Sequence, residues 1–182
     1  AGRYTYRELA ERVNRWATAL TGLGLAMEDR VLLALLDTID FPTAFLGSIK
    51  AGIVPIAANT LLPPDDYEFM LADSRATVLI VSEALYPGFA PLIGKFPWLK
   101  HVIVSGHGAD RGHTPFADLL ARGAATFDPA PTVCDDVCFW LYSSGSTGRP
   151  KGTVHVHSSL ITTAELYARP VLGLTADDVV YS

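Results

Sequence analysis

Cysteine is scarce in this chain: Cys134 and Cys138 are the only two among 182 residues. Two cysteines four positions apart can bind a metal ion, but the sequence offers no second pair and no neighbouring histidine to complete a site. We therefore expect two free thiols in the hydrophobic core of a protein from the reducing cytoplasm, where unpaired thiols are usual.

The chain also lacks a cluster of positive charge and a long apolar run. Its formal net charge is −5, so nucleic acid is not expected as a partner. No segment approaches the roughly 18 consecutive apolar residues of a membrane span, and the polar opening stretch AGRYTYRELAERVNR does not read as a secretory signal. With 49% hydrophobic and 18% charged residues, the chain should fold around a sizeable core.

What the chain does have is a regular alternation of short apolar runs and helical periodicities. Thr5 and Glu8 fit the capping box S/T-x-x-E, which predicts a helix start, and a later helix should begin at Thr114 with Pro115 in its first turn. The alternation indicates an α/β fold, a mostly parallel sheet with helices on both faces. The predicted strands are 30–37, 53–59, 76–82, 101–105, 136–142, 152–157 and 177–182, and the other predicted helices are 41–52, 63–74, 83–96 and 158–169.

The segment LYSSGSTGRPKG, residues 141–152, is rich in small polar residues. It is not a Walker A loop (G-x-x-x-x-G-K-[ST]), because Pro150 replaces the second glycine and Gly152 replaces the hydroxyl residue after the lysine. Its chemistry nevertheless suits a polyphosphate, since its glycines permit close backbone approach and successive N–H groups can form an anion-binding nest. A plain Ser/Gly linker between strands is the alternative. The candidate binding residues are Ser143, Ser144, Gly145, Ser146, Thr147, Gly148 and Lys151.

The sequence YSSGSTGRPKG resembles the phosphate-loop signature of the adenylate-forming superfamily, which contains acyl-CoA synthetases, adenylation domains and luciferases. Every fixed position of that signature is met. The segments SIKAGIVPIAANTLLP and GTVHVHSSL resemble two further parts of the same family, in the same order. The residues that flank the loop, including TAELYARPVLGLTADDVVYS, are most similar to the subgroup of benzoate-CoA ligases.

The resemblance implies a two-step reaction, in which a carboxylate attacks the α-phosphate of ATP and the thiol of coenzyme A then displaces AMP. It implies that the loop from Ser143 to Gly148 wraps the β- and γ-phosphates, with Thr147 nearest the Mg²⁺ ion. Lys151 is assigned to binding, because a lysine beside phosphate stays charged and cannot act as a base. The implied cofactors are ATP, Mg²⁺ and coenzyme A, and the implied partner is an aromatic carboxylic acid such as benzoate.

The resemblance further implies that residues 1–182 are the N-terminal part of the AMP-binding large domain, without the acid pocket or the C-terminal domain and its catalytic lysine. No catalytic residue is therefore assigned. Lys50 is expected to be a solvated surface residue, His157 to support the start of a helix, and Glu165 to be a surface charge. A fatty-acyl-CoA synthetase, an amino-acid adenylation domain and a non-catalytic truncated chain are the alternatives. Uncovered sheet edges lead us to expect self-association or a homodimer.

Overall fold

The computed structural model describes residues 2–106, 112–144 and 148–180. Strands and helices alternate along these residues, as predicted. The strands are β1 Arg30–Ala34, β2 Val54–Ala57, β3 Val78–Ser82, β4 His101–Ser105, β5 Thr114–Pro115, β6 Val137–Ser144 and β7 Pro150–Val156. The helices are α1 Tyr6–Gly22, α2 Asp40–Lys50, α3 Pro64–Ser74, α4 Tyr86–Phe89, α5 Phe116–Arg122 and α6 His157–Thr163, with a 3₁₀ turn at Ala90–Leu92 and a π-helical turn at Ala164–Ala168.

The strands form one sheet in the order β5-β4-β3-β1-β2-β6-β7. All neighbouring pairs are parallel except β6 and β7, which form an antiparallel hairpin at one end of the sheet. The predicted mostly parallel α/β fold is therefore confirmed. Over residues 2–106, 112–144 and 148–180, no helix has the length and apolarity that crossing a membrane requires.

Both faces of the central strands are buried. Along β1, Val31 and Leu33 join the core beneath α1, α2 and α5, while Leu32 and Ala34 join the core beneath α3 and α4. β3 repeats this alternation. Because side chains alternate across a strand, a run of apolar residues can fill two cores at once.

Helix α1 begins where the sequence predicts. The N–H of Glu8 donates to the hydroxyl oxygen of Thr5 at 3.2 Å, and the N–H of Thr5 donates to the Glu8 carboxylate at 2.7 Å, so the capping box is present. The bonds that the N–H and the hydroxyl of Thr5 donate to the Glu8 carboxylate lower the pKa of that group. Further along the helix, Trp16 is fully buried and stacks on Phe116 with ring centroids 4.1 Å apart. α1 is thereby fixed against both the sheet and α5.

Three sequence-based predictions about the secondary structure and the core are wrong. Thr114 and Pro115 do not start α5 but form the short strand β5, because Thr114 pairs with Ile103 of β4. Residues 177–180 of the predicted last strand form no strand, and the Asp178 carboxylate instead accepts the N–H of Thr175 in a turn. Residues 181–182 lie outside the described part of the chain.

The third wrong prediction concerns the thiols. Cys138 is buried in β6, and burial raises the pKa of its thiol, but Cys134 is exposed. Cys134 precedes the strand and accepts, through its backbone carbonyl, the N–H of Ser158. Both cysteines are free, as expected, yet only one belongs to the core.

We predict that Gly47→Ala destabilises the fold. Gly47 lies in α2 against α1, and an added Cβ would come within 2.8 Å of Cδ1 of Trp16 and 3.0 Å of the carbonyl oxygen of Val13. Overpacking of this kind costs about 1–3 kcal/mol, more than the 0.5–1 kcal/mol or so that alanine gains over glycine in a helix. The free energy of unfolding, measured by urea denaturation, should fall.

Gly22→Ala is the matched control. Gly22 is also a helical glycine, but in the described part of the chain no atom outside its own helical turn lies within 4 Å of the position of its added Cβ. Its free energy of unfolding should stay equal or rise slightly. Equal effects of the two substitutions would contradict the close contact between α1 and α2 at Gly47.

Candidate functional site

The candidate phosphate-binding segment lies at the turn of the β6–β7 hairpin. Ser143 pairs with Lys151 and Ser144 with Pro150, so residues 145–149 connect the two strands. β6 runs parallel to β2, which runs parallel to β1. The turn is therefore at the edge of the sheet where β1, β2 and β6 end. The segment links two strands, as the predicted strands 136–142 and 152–157 indicated, and does not lead from a strand into a helix.

Ser143 and Lys151 are brought together by the strand register. Residues directly opposite each other in an antiparallel pair place their side chains on the same face, so the hydroxyl and the ammonium group are neighbours. Both residues are exposed. Among the described residues, no carboxylate forms an ion pair with Lys151, so its charge is available to an anionic ligand.

Gly148 has the backbone conformation that the turn requires. Its φ is +95°, a value that strongly favours glycine. Among the described residues, no atom outside its chain neighbours lies within 4 Å of the position of an added Cβ. A ligand can therefore approach its backbone closely. Ser144 is the last residue of β6. Gly145, Ser146 and Thr147 lie outside the described residues.

The opposite face of the hairpin packs on α3. The hydroxyl of Tyr142 donates to Oδ2 of Asp73 at 2.7 Å, and the Tyr142 ring meets Phe69 edge-on with centroids 6.5 Å apart. Burial and the neighbouring Asp73 carboxylate raise the pKa of Tyr142, so its hydroxyl remains a donor. This contact is not among the sequence-based predictions. The one feature of the sequence that points to it is that Tyr142, an aromatic residue, is the first residue of the signature YSSGSTGRPKG.

The guanidinium of Arg149 is also held by α3. Its Cζ lies 5.6 Å from the centroid of the Phe69 ring, within the range of a cation–π interaction. Phe69 thus contacts Tyr142, which precedes the turn, and Arg149, which is the last residue of the turn.

The two histidines of β7 and its continuation have structural contacts. The ring of His155 stacks on Phe139 with centroids 4.6 Å apart, and Phe139 in turn packs on Phe45 of α2. The N–H of His157 donates to the carbonyl of Asp136 at 3.2 Å where α6 begins. The predicted role of His157 at the start of a helix agrees with this position.

Of the remaining charged residues, Glu165 is an exposed partner of Arg169 at 3.0 Å, as expected of a surface charge. The expectation for Lys50 is wrong. Its side chain is half-buried, and its ammonium nitrogen lies 2.5 Å from Oδ1 of Asn14, so that it joins α2 to α1.

A larger cavity, of about 950 Å³, lies at the ends of β1, β3 and β4. At this place the connection after β1 leads to α2 on one face of the sheet, and the connection after β3 leads to α4 on the other face. Ligands of parallel α/β sheets often bind where the connections diverge in this way. Its central charged groups already pair with one another, however. Arg12 binds Asp40 at 2.6 Å, and the hydroxyl of Ser105 donates to the same carboxylate at 2.7 Å. This network ties α1 and α2 to β4.

The chain is similar to known proteins over its whole length. It is 63% identical to a benzoate-CoA ligase of Thauera aromatica, over 183 aligned residues that cover 100% of this chain and 34% of the relative. The crystal structure of a benzoate CoA ligase from Burkholderia xenovorans superposes with a TM-score of 0.86 at 44% identity, covering 97% of this chain and 34% of that one. The crystal structure of the anthranilate CoA ligase AuaEII in complex with anthranoyl-AMP superposes with a TM-score of 0.90 at 38% identity. The match covers 93% of this chain and 33% of that one.

The chain thus spans about a third of the length of these relatives. A family model described as AMP-binding enzyme matches residues 1–182. The chain therefore belongs to the family of AMP-binding enzymes.

Proposed function

We propose that this chain supplies the ATP phosphate-binding loop of an AMP-forming acid-CoA ligase whose substrate is benzoate or a related aromatic acid. The observation that carries the proposal is the 63% identity to a benzoate-CoA ligase, which extends over the entire chain, including YSSGSTGRPKG. The position of this segment supports it, because Ser143, Gly148 and the cation Lys151 are exposed at the end of the hairpin.

In this proposal the turn binds phosphate mainly through its backbone. Gly148 lets the chain come close to a phosphate oxygen, and successive N–H groups around it form an anion-binding nest. The hydroxyls of Ser143, Ser144, Ser146 and Thr147 add donors, and Lys151 neutralises charge on the β- and γ-phosphates. Positioning and charge neutralisation are the main contributions that a protein makes to such a transfer.

Magnesium fits this arrangement as a partner of the nucleotide. Among the described residues there is no group of three or more His, Cys, Asp or Glu side chains that could enclose a metal ion. Mg²⁺ commonly keeps several waters and binds through substrate phosphates with few protein ligands, and Thr147 is the proposed protein ligand. When bound, the ion would neutralise charge on the phosphates and on the departing pyrophosphate.

The proposed reaction has two steps. A carboxylate oxygen of the acid forms a bond to the α-phosphorus of ATP, and the bond from that phosphorus to the bridging oxygen breaks, which releases pyrophosphate. The sulfur of coenzyme A then attacks the acyl carbon, loses its proton, and displaces AMP. The residues of this chain act in the first step by holding the β- and γ-phosphates, and no residue here is assigned to proton transfer. The reducing cytoplasm is the compartment that we propose.

We predict that Lys151→Ala weakens the binding of MgATP by about ten- to a hundredfold, because a hydrogen bond to a charged group contributes about 1.5–3 kcal/mol. The dissociation constant can be measured by isothermal titration calorimetry. Lys100→Ala is the matched control, since Lys100 is exposed and lies just before β4, away from the hairpin. Equal MgATP affinity of both variants and the unchanged protein would rule out Lys151 as a phosphate ligand.

We also predict that benzoate drives ATP–pyrophosphate exchange by the complete gene product, at least tenfold faster than a long-chain fatty acid does. The reason is the high identity to a benzoate-CoA ligase along this chain. Anthranilate and 4-hydroxybenzoate can be compared in the same assay to define the ring substituents. Exchange that depends on a long-chain acid and not on benzoate would show that the aromatic specificity is wrong.

Self-association of this chain is a further proposal. Several large apolar side chains of α6 and the turns after it are exposed; they are Leu160, Ile161, Leu166, Tyr167, Val171 and Leu172. A surface of this kind is usually covered by another protein surface, and a second copy offers one. Light scattering coupled to size-exclusion chromatography should show an average mass that rises with concentration. A constant monomer mass over a hundredfold range of concentration would contradict it.

A further inference from the structure

One face of α3 contacts both sides of the hairpin turn. Phe69 and Asp73 are four positions apart, so they lie one above the other on the same side of the helix. Asp73 accepts a hydrogen bond from the hydroxyl of Tyr142, the third residue from the end of β6. Phe69 lies beneath the guanidinium of Arg149, the residue just before β7. We call these four residues, Phe69, Asp73, Tyr142 and Arg149, the α3 clamp.

The contacts of the clamp differ in kind, which makes their combined geometry specific. A phenol that donates to a carboxylate at 2.7 Å forms a short, charge-assisted hydrogen bond. The edge-on contact of Tyr142 with Phe69, at a centroid distance of 6.5 Å, and the cation–π contact of Arg149 with Phe69, at 5.6 Å, share the ring of Phe69. The ring of Phe69 therefore fixes Tyr142 and Arg149 relative to each other.

Gly152 leaves room for the clamp. It pairs with Tyr142 across the hairpin, and a Cβ at Gly152 would lie 3.3 Å from two atoms of the Tyr142 ring and 3.6 Å from Trp140. The Tyr142 ring can therefore lie over β7 on its way to α3. The glycine that disqualified this segment as a Walker A loop thus has a packing role in the hairpin.

The hairpin needs such support because of its place in the sheet. β7 is the last strand in the order, and β6 pairs with β2 over only two residues, Trp140 and Leu141. Beyond Leu141, β6 has no partner but β7 in the described part of the chain. The end of β6 beyond Leu141 is thus held to the body of the protein through the side-chain contacts of Tyr142 with α3, and not through the β2 ladder.

We propose that Tyr142 and Asp73 are positioning residues for phosphate binding: the α3 clamp fixes the two ends of the hairpin turn, so that Ser143, Gly148 and Lys151 are held in one arrangement before the nucleotide arrives. This inference rests on the proposed function, because it assigns the clamp to a phosphate site. A turn fixed in advance binds its ligand more tightly, since less conformational entropy is lost on binding.

The test compares two tyrosine hydroxyls, one that donates to a residue of α3 and one that belongs to α3 and donates elsewhere. Tyr142→Phe removes the hydroxyl that Asp73 accepts and keeps the ring. Tyr67→Phe is the matched control, because Tyr67 is buried in α3 and its hydroxyl donates to the carbonyl of Asn59 at 2.9 Å, away from the hairpin. Asp73→Ala, alone and combined with Tyr142→Phe, completes a double-mutant cycle.

Two readouts separate positioning from general stability. The first is the rate at which trypsin cuts the native protein after Lys151, which requires the end of the hairpin to open locally; Arg149 is a poor site because Pro150 follows it. The second is the dissociation constant for MgATP. Urea denaturation of each variant reports the overall free energy of unfolding for comparison.

We expect Tyr142→Phe to raise both the cleavage rate at Lys151 and the dissociation constant for MgATP about three- to tenfold, and Tyr67→Phe to change neither. Asp73→Ala should reproduce the effect of Tyr142→Phe, and the double variant should add little to it. Equal behaviour of Tyr142→Phe and Tyr67→Phe, or additive effects of Tyr142→Phe and Asp73→Ala, would overturn the clamp. If the unchanged protein fails to bind MgATP, the proposed function and the assignment of the clamp to phosphate fall, and cleavage at Lys151 still decides whether α3 holds the hairpin.

Discussion

The burial of both faces of a parallel sheet is the constraint on which the rest of this structure depends. β1 and β3 lie side by side at the centre, and each presents alternate apolar residues to two separate cores. Neither face can be left in water, so helices must cover both, and the connections from β1 and β3 leave in opposite directions. The strands that come later in the sequence are then added at the two ends of the sheet. The β6–β7 hairpin is consequently at one end of the sheet, where Ser143, Gly148 and Lys151 are exposed.

This arrangement gives the candidate site two very different sides. On one face of the hairpin, Ser143 and Lys151 are exposed and have a backbone turn beside them that glycine keeps accessible. On the other face, Tyr142 is fixed to α3 through Asp73 and Phe69. A binding loop must present its donors to the ligand and still hold them in place. In this hairpin, one face of the two strands presents the donors and the opposite face is fixed to α3.

Sequence reasoning succeeded where the determinants are local. The capping box of Thr5 and Glu8 involves residues three apart, and the signature YSSGSTGRPKG names its own candidate residues. It failed where distant pairing decides the outcome. Thr114 and Pro115 have good chemistry for a helix start, yet Thr114 lies against Ile103 and becomes a strand. Tyr142 and Asp73 are 69 residues apart, and no pattern in either segment predicts that they meet. Cys134 shows a further limit, because the apolar character of a thiol does not by itself say that the residue is buried.

The most direct test of the account is a crystal structure of this protein with Mg²⁺ and a non-hydrolysable ATP analogue. The account predicts that the β- and γ-phosphates lie against the backbone between Ser144 and Gly148, with the ammonium group of Lys151 within hydrogen-bond distance of one of their oxygens. The bond from Tyr142 to Asp73 should be kept. Phosphates bound instead in the cavity at the ends of β1, β3 and β4, near Arg12, would contradict it.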